Sequence, residues 1–221
     1  MGEFLRAGAR VHVLDVNESA IDDLESQYKE SGAFSATATD LGSPELCARS
    51  LESLSAPVYG LVHLAGVFES DDLDPSYRAV WDRALATNLT TAFDMVTACA
   101  ARFDLAVGGR VILTSSIAYR RGSFDHLAYS ASKGGIAALV RALSKRLAPR
   151  VLVNGVAPGI INTSMPRSII KDRGERLQSE IPLGRWGEPE EVARVIRFLC
   201  TDDSSYMTGQ MLNVDGGIVN S

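Results

Sequence analysis

Three side chains in this sequence have the types and the spacing to move a proton on an oxygen atom: Ser116, Tyr129 and Lys133. The apolar run 111–113 ends shortly before Ser116, as a buried strand does where it reaches the edge of a sheet. Tyr129 and Lys133 lie four positions apart at the start of a small-residue helix, so they share one helical face. A hydroxyl group opposite such a pair could move a proton onto or off a carbonyl oxygen.

The protonation of this pair is set by its neighbours. A free tyrosine has a pKa of about 10, and a nearby ammonium group favours the phenolate form. We therefore expect Lys133 to lower the pKa of Tyr129. Of the two adjacent serines, Ser115 points to the opposite side if strand alternation persists, and we expect it to bond to the backbone.

The elements that position these residues alternate between strands and helices. Strands are predicted at 11–15, 33–39, 59–64, 110–114, 151–156 and 210–214. Helices are predicted at 4–8, 18–31, from Pro44, at 77–103 with a break near Asn88, at 129–147 and at 190–199. Continuous apolar strands separated by helices indicate an α/β fold, a doubly wound parallel sheet in three α/β/α layers. One domain is expected over residues 1–221.

Ligands of such sheets bind at the carboxyl ends of the strands. Polar or small residues stand at those ends in this sequence: Asp15, Asp40, Ala65-Gly66, Ser115-Ser116 and Pro158-Gly159. We therefore expect one composite site at this edge of the sheet.

The composition excludes several classes of function. The 221-residue chain has a formal net charge of −5, which argues against a nucleic-acid or anionic-membrane partner. No apolar run approaches the roughly 18–20 residues that span a bilayer, and no signal peptide is visible. The three cysteines are isolated, so neither a disulfide framework nor a metal site is predicted. A cytoplasmic location is expected.

Seven segments together carry a family resemblance. They are Ala65-Gly66, Asn88, Ser116, Tyr129-x-x-x-Lys133, Pro158-Gly159-x-x-x-Thr163, Arg185-Trp186-Gly187-x-Pro189-Glu190-Glu191-Val192-Ala193 and Gly209-Gln210-x-Leu212-Asn213-Val214-Asp215-Gly216-Gly217. In this order and spacing, the chain resembles the short-chain dehydrogenase/reductase family, which implies a Rossmann-like fold.

The resemblance assigns the catalytic roles. It implies that Tyr129 is the general acid/base, and that Ser116, thirteen residues earlier, hydrogen-bonds the substrate. It implies that Lys133 holds the nicotinamide ribose hydroxyls. Asn88 matches an asparagine that interrupts a helix and supports a water-mediated proton relay to the lysine.

The resemblance also implies a dinucleotide cofactor. Asp15, at the end of the second family strand, is expected to accept hydrogen bonds from the adenosine ribose. No arginine follows it directly, so NAD(H) is preferred over NADP(H). Asp40 and Leu41 are expected to flank the adenine, and Ile161 and Thr163 the nicotinamide carboxamide and phosphates. The remaining cofactor residues implied are Ala65, Gly66, Tyr129, Lys133, Pro158 and Gly159.

The sequence departs from the family pattern at its start. The family opens with a strand and a glycine-rich turn whose amides cradle the pyrophosphate, and the printed sequence begins after that turn. About 20 residues are expected to be missing, judged from a βαβ unit of roughly 30 residues. Their strand would lie between those at 11–15 and 59–64. A second departure is His63-Leu64, where a neutral, structural imidazole is expected.

Three functions follow as expectations. The leading one is an NAD(H)-dependent oxidoreductase that interconverts a secondary alcohol and a ketone. A 3-oxoacyl-(acyl carrier protein or CoA) reductase is an alternative, because such enzymes share the whole motif set. A catalytically silent subunit that lacks the dinucleotide site is the third.

The partners expected are a small-molecule substrate and further copies of the chain. Segments 117–125 and 164–184 are predicted to wall the substrate pocket, with candidates Tyr119, Arg120, Arg121, Phe124 and Met165. The Arg120-Arg121 pair could meet an acidic substrate or could simply be solvated. Small-residue helices around 88–102 and 129–147 suggest a homodimer or homotetramer.

Overall fold

The fold was analysed on a computed structural model of the 221-residue chain. It describes residues 1–163, 165 and 174–219. Of the predicted pocket segment 164–184, residues 164 and 166–173 lie outside the described residues.

Strands and helices alternate as predicted. The strands are β1 Val11–Asp15, β2 Phe34–Ala38, β3 Gly60–His63, β4 Gly109–Thr114, β5 Val151–Pro158 and β6 Met211–Val214. The helices are α1 Gly2–Arg6, α2 Glu18–Gln27, α3 Pro44–Ser50, α4 Arg78–Leu85, α5 Thr91–Ala100, α6 Ala118–Arg121, α7 Leu127–Leu147 and α8 Pro189–Leu199. Short 3₁₀ turns cover Pro75–Tyr77 and Asp202–Ser204, and a π-helical turn covers Ala86–Thr90.

All of the strand pairs are parallel, as the fold class requires. Four strands form a sheet in the order β3-β4-β5-β6, and β1 pairs separately with β2. The register places Leu61 opposite Val111, and Val111 opposite Val153. Within the described residues no pairing joins β1 to β3, and this is the interval where the resemblance places a further strand.

Strand β4 shows how the sheet is covered on both faces. Val111 and Leu113 belong to one buried cluster with residues of α5 and α7, whereas Ile112 belongs to another with residues of α8. Successive strand residues point to opposite faces, so one strand supplies both layers of the core. This arrangement confirms the predicted α/β fold, and it packs α7 against the face of β4 that carries Val111 and Leu113.

The long predicted helix at 77–103 is interrupted where the sequence indicated. Helix α4 passes into the π-helical turn, in which Asn88 is fully buried, and then into α5. A π-helical turn inside an α-helix often marks a functional site.

Several predicted elements were too long, helix α2 and strand β3 among them. Helix α2 ends at Gln27 rather than at residue 31, because the chain turns at 28–30 before Gly32. Strand β3 ends at His63, so Leu64, Ala65 and Gly66 form the turn beyond it. In the part of the chain that the structure describes, no helix has the length and apolarity to cross a bilayer.

Candidate active site

The two serines at the end of β4 point to different partners. Ser115 Oγ donates a hydrogen bond of 2.7 Å to the Lys133 carbonyl, which is the backbone contact predicted for it. Ser116 Oγ accepts a hydrogen bond of 3.2 Å from the Ala118 amide. The Ser116 side chain also lies beside Tyr129, where its hydroxyl group acts to lower the pKa of the phenol. The Ala118 amide uses only a lone pair of Ser116 Oγ, so the hydroxyl proton of Ser116 remains available to donate.

Tyr129 and Lys133 meet on the first turns of α7, as their spacing predicted. Lys133 Nζ lies 5.6 Å from the centre of the Tyr129 ring and donates a hydrogen bond of 2.9 Å to the Thr114 carbonyl. The lysine is 4% exposed. The described partner of its ammonium group is a neutral carbonyl group at the end of β4. Because the residue is buried, the ammonium group is poorly solvated.

The pKa values of this pair correct an expectation. Burial raises the pKa of Tyr129 above its ordinary value, and the neighbouring Ser116 hydroxyl group opposes that shift. Burial also lowers the pKa of Lys133 to about 8. The predicted lowering of the Tyr129 pKa by Lys133 is wrong for this arrangement, because desolvation of the phenolate outweighs it. Tyr129 is therefore protonated at neutral pH.

Asn88 connects the turn after β3 to helix α7. Its Oδ1 accepts a hydrogen bond of 2.7 Å from the Val67 amide, and its Nδ2 donates to the Val67 carbonyl at 3.1 Å and to Ser132 Oγ at 3.0 Å. A Cβ atom on Gly66 would lie 2.9 Å from Asn88 Oδ1 and 3.5 Å from Lys133 Nζ. Glycine is therefore required at this turn, where Asn88 and Lys133 approach the same backbone.

Sequence reasoning missed two residues of this cluster. Ser132 Oγ accepts from Asn88 and donates to the Tyr129 carbonyl at 2.8 Å. Its position three residues after Tyr129, on the same helical face, could have indicated it. The Phe68 ring meets the Tyr129 ring edge-on, with centroids 4.7 Å apart. No local pattern indicates that contact, because the residues are distant in sequence.

His63 is buried and contacts Thr91. Its Nε2 is 3.0 Å from Thr91 Oγ1, and the residue is 5% exposed. Burial, with a smaller contribution from the Lys133 charge, lowers its pKa to about 4. The imidazole is therefore neutral near pH 7.

The residues predicted to bind a cofactor lie along the strand ends. Asp15 ends β1 as an exposed carboxylate, and its Oδ1 accepts from the Asn17 amide at 2.9 Å. Asp40 Oδ1 accepts from the Gly42 amide at 2.9 Å. The Leu41 side chain packs against the core, so it is less open to a ligand than expected. Ala65 is exposed in the turn after β3.

The carboxyl end of β5 supplies the remaining members. Pro158 is the last residue of β5. A Cβ atom on Gly159 would lie 2.7 Å from Asp215 Cα, so the chain passes close to the turn after β6. Ile161 pairs with Gly187 in an isolated bridge, and Thr163 Oγ1 is 3.5 Å from the Ile161 carbonyl.

This donor and acceptor set fits a polyhydroxylated ligand at the strand ends. The Asp15 carboxylate offers acceptors for hydroxyl groups at one end, and the Lys133 ammonium offers donors at the other. The Gly66 backbone passes close to Lys133, whose Nζ would lie 3.5 Å from a Cβ atom at that position. Among the described residues, no group of three or more His, Cys, Asp or Glu side chains could hold a metal ion.

The arginine pair of the predicted substrate wall is engaged within the protein. Arg121 Nη2 forms an ion pair with Glu180 at 2.9 Å. Arg120 Nε donates to the Tyr119 hydroxyl at 2.5 Å. Phe124 is 91% exposed and Met165 is exposed. Phe124 and Met165 are therefore open to a ligand, whereas the two arginines, which are also exposed, already have partners within the protein.

Comparisons with known proteins find relatives along most of the chain. A family model described as enoyl-(acyl carrier protein) reductase matches residues 2–219. A 3-oxoacyl-[acyl-carrier-protein] reductase of Aquifex aeolicus is 39% identical over 139 residues, 62% of this chain and 56% of the relative. An acetoacetyl-CoA reductase of Shinella zoogloeoides is 31% identical over 89% of this chain and 83% of the relative.

A solved structure matches along nearly the whole chain. It is a crystal structure from Brucella melitensis, titled short-chain dehydrogenase/reductase SDR:Glucose/ribitol dehydrogenase. It is 29% identical and superposes with a TM-score of 0.93 over 99% of this chain and 89% of its own.

Proposed function

This chain belongs to the short-chain dehydrogenase/reductase family of oxidoreductases, which act on CH–OH and C=O groups, and we propose that it interconverts a secondary alcohol and a ketone with Tyr129 as general acid/base. The observation that carries the proposal is the placement of the Ser116 side chain beside Tyr129, with Lys133 one helical turn further along α7. Ser116, Tyr129 and Lys133 offer two hydroxyl groups and one cation at the end of β4.

The proton transfer follows from this geometry. When bound, the nicotinamide supplies a hydride to the carbonyl carbon or takes one from the alcohol. In reduction, Ser116 and Tyr129 bind the carbonyl oxygen with their hydroxyl groups, and Tyr129 donates its proton as negative charge develops there. Tyr129, whose pKa is raised, is protonated at neutral pH and so can donate a proton in the reductive direction.

The cationic lysine has a supporting role in this proposal. Lys133 would hold the nicotinamide ribose hydroxyls and stabilise the phenolate that remains after proton donation. Asn88 fixes the Val67 backbone and Ser132 on either side of that lysine. Its proposed water-mediated relay would deliver a proton to Lys133, one helical turn from Tyr129.

The exposed carboxylate of Asp15 supports NAD(H) over NADP(H). A negative charge at the end of β1 accepts hydrogen bonds from ribose hydroxyls and repels a 2′-phosphate. Asp40 and Leu41 would flank the adenine, and the β5 end with Ile161 and Thr163 would contact the nicotinamide side.

A 3-oxoacyl thioester is the substrate class favoured by the relatives. Their names specify 3-oxoacyl-[acyl-carrier-protein] and acetoacetyl-CoA as substrates. Both carry a ketone two carbons beyond a thioester, and reduction of that ketone is the reaction proposed for Tyr129. The exposed Phe124 and Met165 side chains offer apolar contacts for an acyl chain.

The test is turnover by the purified chain. Acetoacetyl-CoA and a simple ketone are each mixed with NADH or NADPH, and nicotinamide oxidation is followed by absorbance. We expect saturable oxidation with NADH that depends on the ketone. Saturable cofactor binding without turnover of either substrate contradicts the proposal, and no cofactor binding favours a catalytically silent subunit.

We also propose that the chain forms a homodimer or homotetramer through α5 and α7. Phe93 is 50% exposed on α5, and Ala138 and Ala142 are exposed on α7. Ala137 is buried in the core and does not belong to this face. Light scattering of the purified protein distinguishes these assemblies from a monomer.

A further inference from the structure

Helix α7 carries the proposed acid/base, and its first turn is held from outside the helix. His126 precedes the helix and provides no side-chain cap. The first amide groups of a helix have no partners within it, so they need acceptors from elsewhere. Asp71 supplies them: Oδ1 accepts from the Leu127 amide and Oδ2 from the Ala128 amide, each at 2.6 Å.

The segment that carries Asp71 also contacts the Tyr129 ring, through the side chain of Phe68. Phe68 stacks on the His126 ring, with centroids 4.0 Å apart and planes within 3°, and meets the Tyr129 ring edge-on. Ser70 Oγ lies 3.5 Å from His126 Nε2. Residues 67–71, called here the positioning segment, therefore contact α7 at its amides and at its aromatic side chains.

The other end of the positioning segment is fixed to the catalytic cluster. Asn88 binds both the amide and the carbonyl of Val67. Ser116, in contrast, is held at the end of β4 by the Ala118 amide. The two hydroxyl groups that must share one carbonyl oxygen are therefore fixed by separate elements, and their separation depends on where the first turn of α7 lies.

We propose that Asp71 is a positioning residue for catalysis: its carboxylate sets the first turn of α7, and with Phe68 it places the Tyr129 hydroxyl against Ser116. This inference rests on the proposed function. A carboxylate at a helix N-terminus gives charge-assisted hydrogen bonds and a favourable interaction with the helix dipole. Asp71 acts through the backbone of α7 and touches neither substrate nor cofactor in this proposal.

The test compares Asp71 with a second aspartate cap nearby. Asp71→Ala removes both acceptors, whereas Asp71→Asn keeps one carbonyl oxygen. Asp74→Ala is the control, because Asp74 caps the 3₁₀ turn Pro75–Tyr77 by accepting from the Ser76 amide at 2.8 Å. The maximal rate kcat, substrate KM, cofactor Kd and unfolding midpoint are measured for each protein.

We expect Asp71→Ala to lower kcat by about tenfold to about a hundredfold, the range for a small misplacement of a reacting group. Substrate KM and cofactor Kd should stay within about twofold, Asp71→Asn should be intermediate, and Asp74→Ala should keep the wild-type kcat. If Asp71→Ala keeps kcat within twofold and only lowers the unfolding midpoint, Asp71 is a structural cap and the proposal is overturned.

A readout that needs no turnover separates this proposal from the proposed function. Amide hydrogen exchange is measured on a peptide that covers residues 127–132. Faster exchange in Asp71→Ala, but not in Asp74→Ala, is expected even if the wild-type chain reduces no carbonyl substrate. Unchanged exchange in Asp71→Ala overturns the proposal. Inactive wild-type protein overturns the proposed function, and faster exchange in Asp71→Ala then supports only the placement of the first turn of α7 by Asp71.

Discussion

Lys133 Nζ stands 5.6 Å from the centre of the Tyr129 ring, and its hydrogen bond goes to the Thr114 carbonyl rather than to the phenol. Burial therefore acts on the two groups in opposite directions, raising the pKa of Tyr129 and lowering that of Lys133 to about 8. Both shifts favour the uncharged form. The free protein thus holds a protonated acid beside a cation that is readily deprotonated.

Replacing Tyr129 by Phe removes the proposed proton donor while keeping the ring that packs on Phe68. General acid catalysis contributes about a hundredfold to ten-thousandfold, so we expect kcat to fall by that range. Cofactor Kd and the unfolding midpoint should change little. The matched control is Tyr206→Phe, which alters a fully exposed phenol. Near-normal turnover in Tyr129→Phe would falsify the assignment.

The pH dependence of ketone reduction should follow the protonation of Lys133. With a pKa of about 8, the lysine is cationic below that pH and neutral above it. Tyr129, whose pKa is raised, stays protonated over the same range. We expect kcat/KM of the free enzyme to fall as the pH rises above about 8.

Lys133→Arg provides the control for that profile, because arginine keeps its charge at every accessible pH. The decline above about pH 8 should disappear in this variant, whatever its absolute rate. A decline that persists at the same pH belongs to another group and contradicts the assignment to Lys133.

Asp15→Ala tests the cofactor preference. Removing the exposed carboxylate at the end of β1 removes the expected repulsion of a 2′-phosphate. We expect the ratio of kcat/KM for NADPH to that for NADH to rise about tenfold, which corresponds to about 1.4 kcal/mol. Asp23→Ala, on the exposed face of α2, makes the same change in net charge and should leave the ratio unchanged.

Stability in acid should depend on His63. Its pKa is about 4 in the folded protein and near 6.5 when unfolded, so the unfolded state binds the proton more readily between those values. The stabilising contribution of the neutral imidazole is present above pH 6.5 and is lost as the pH falls to 4. Full loss of this contribution lowers the free energy of unfolding by about 3 kcal/mol.

Urea unfolding at pH 7 and at pH 4 measures that contribution, and His63→Gln is the comparison. The glutamine side chain does not titrate. Between pH 7 and pH 4, the free energy of unfolding of His63→Gln should therefore decline by about 3 kcal/mol less than that of the wild type. Equal declines in the two proteins would show that His63 does not take part in the acid transition.

Much of the fold was predictable because its signals are local. The apolar run in β4 and the four-residue spacing of Tyr129 and Lys133 fix a strand end and a helical face without reference to the rest of the chain. The interruption at Asn88 was also predicted, and the structure shows it as a π-helical turn. Element ends were less accurate, as α2 shows, because chain turns and packing decide where a helix stops.

The opposite functions of neighbouring serines were predicted from strand alternation. Ser115 bonds to the Lys133 carbonyl, whereas Ser116 faces Tyr129. The acid strength of Tyr129 was not predicted correctly, because the expectation considered the charge of Lys133 and not the burial of both groups. Desolvation depends on every element packed around a side chain, and sequence spacing carries no record of it.

By itself, the sequence determined which residues could do chemistry and which elements carry them, since residue type and periodicity are written along the chain. Only the tertiary structure decided which distant groups share the site. Asp71 reaches the amides of α7 across 56 and 57 positions, and Arg121 meets Glu180 across 59. Such contacts arise when parallel strands bring their carboxyl ends to one edge, and they determine the burial, and so the protonation, of Tyr129 and Lys133.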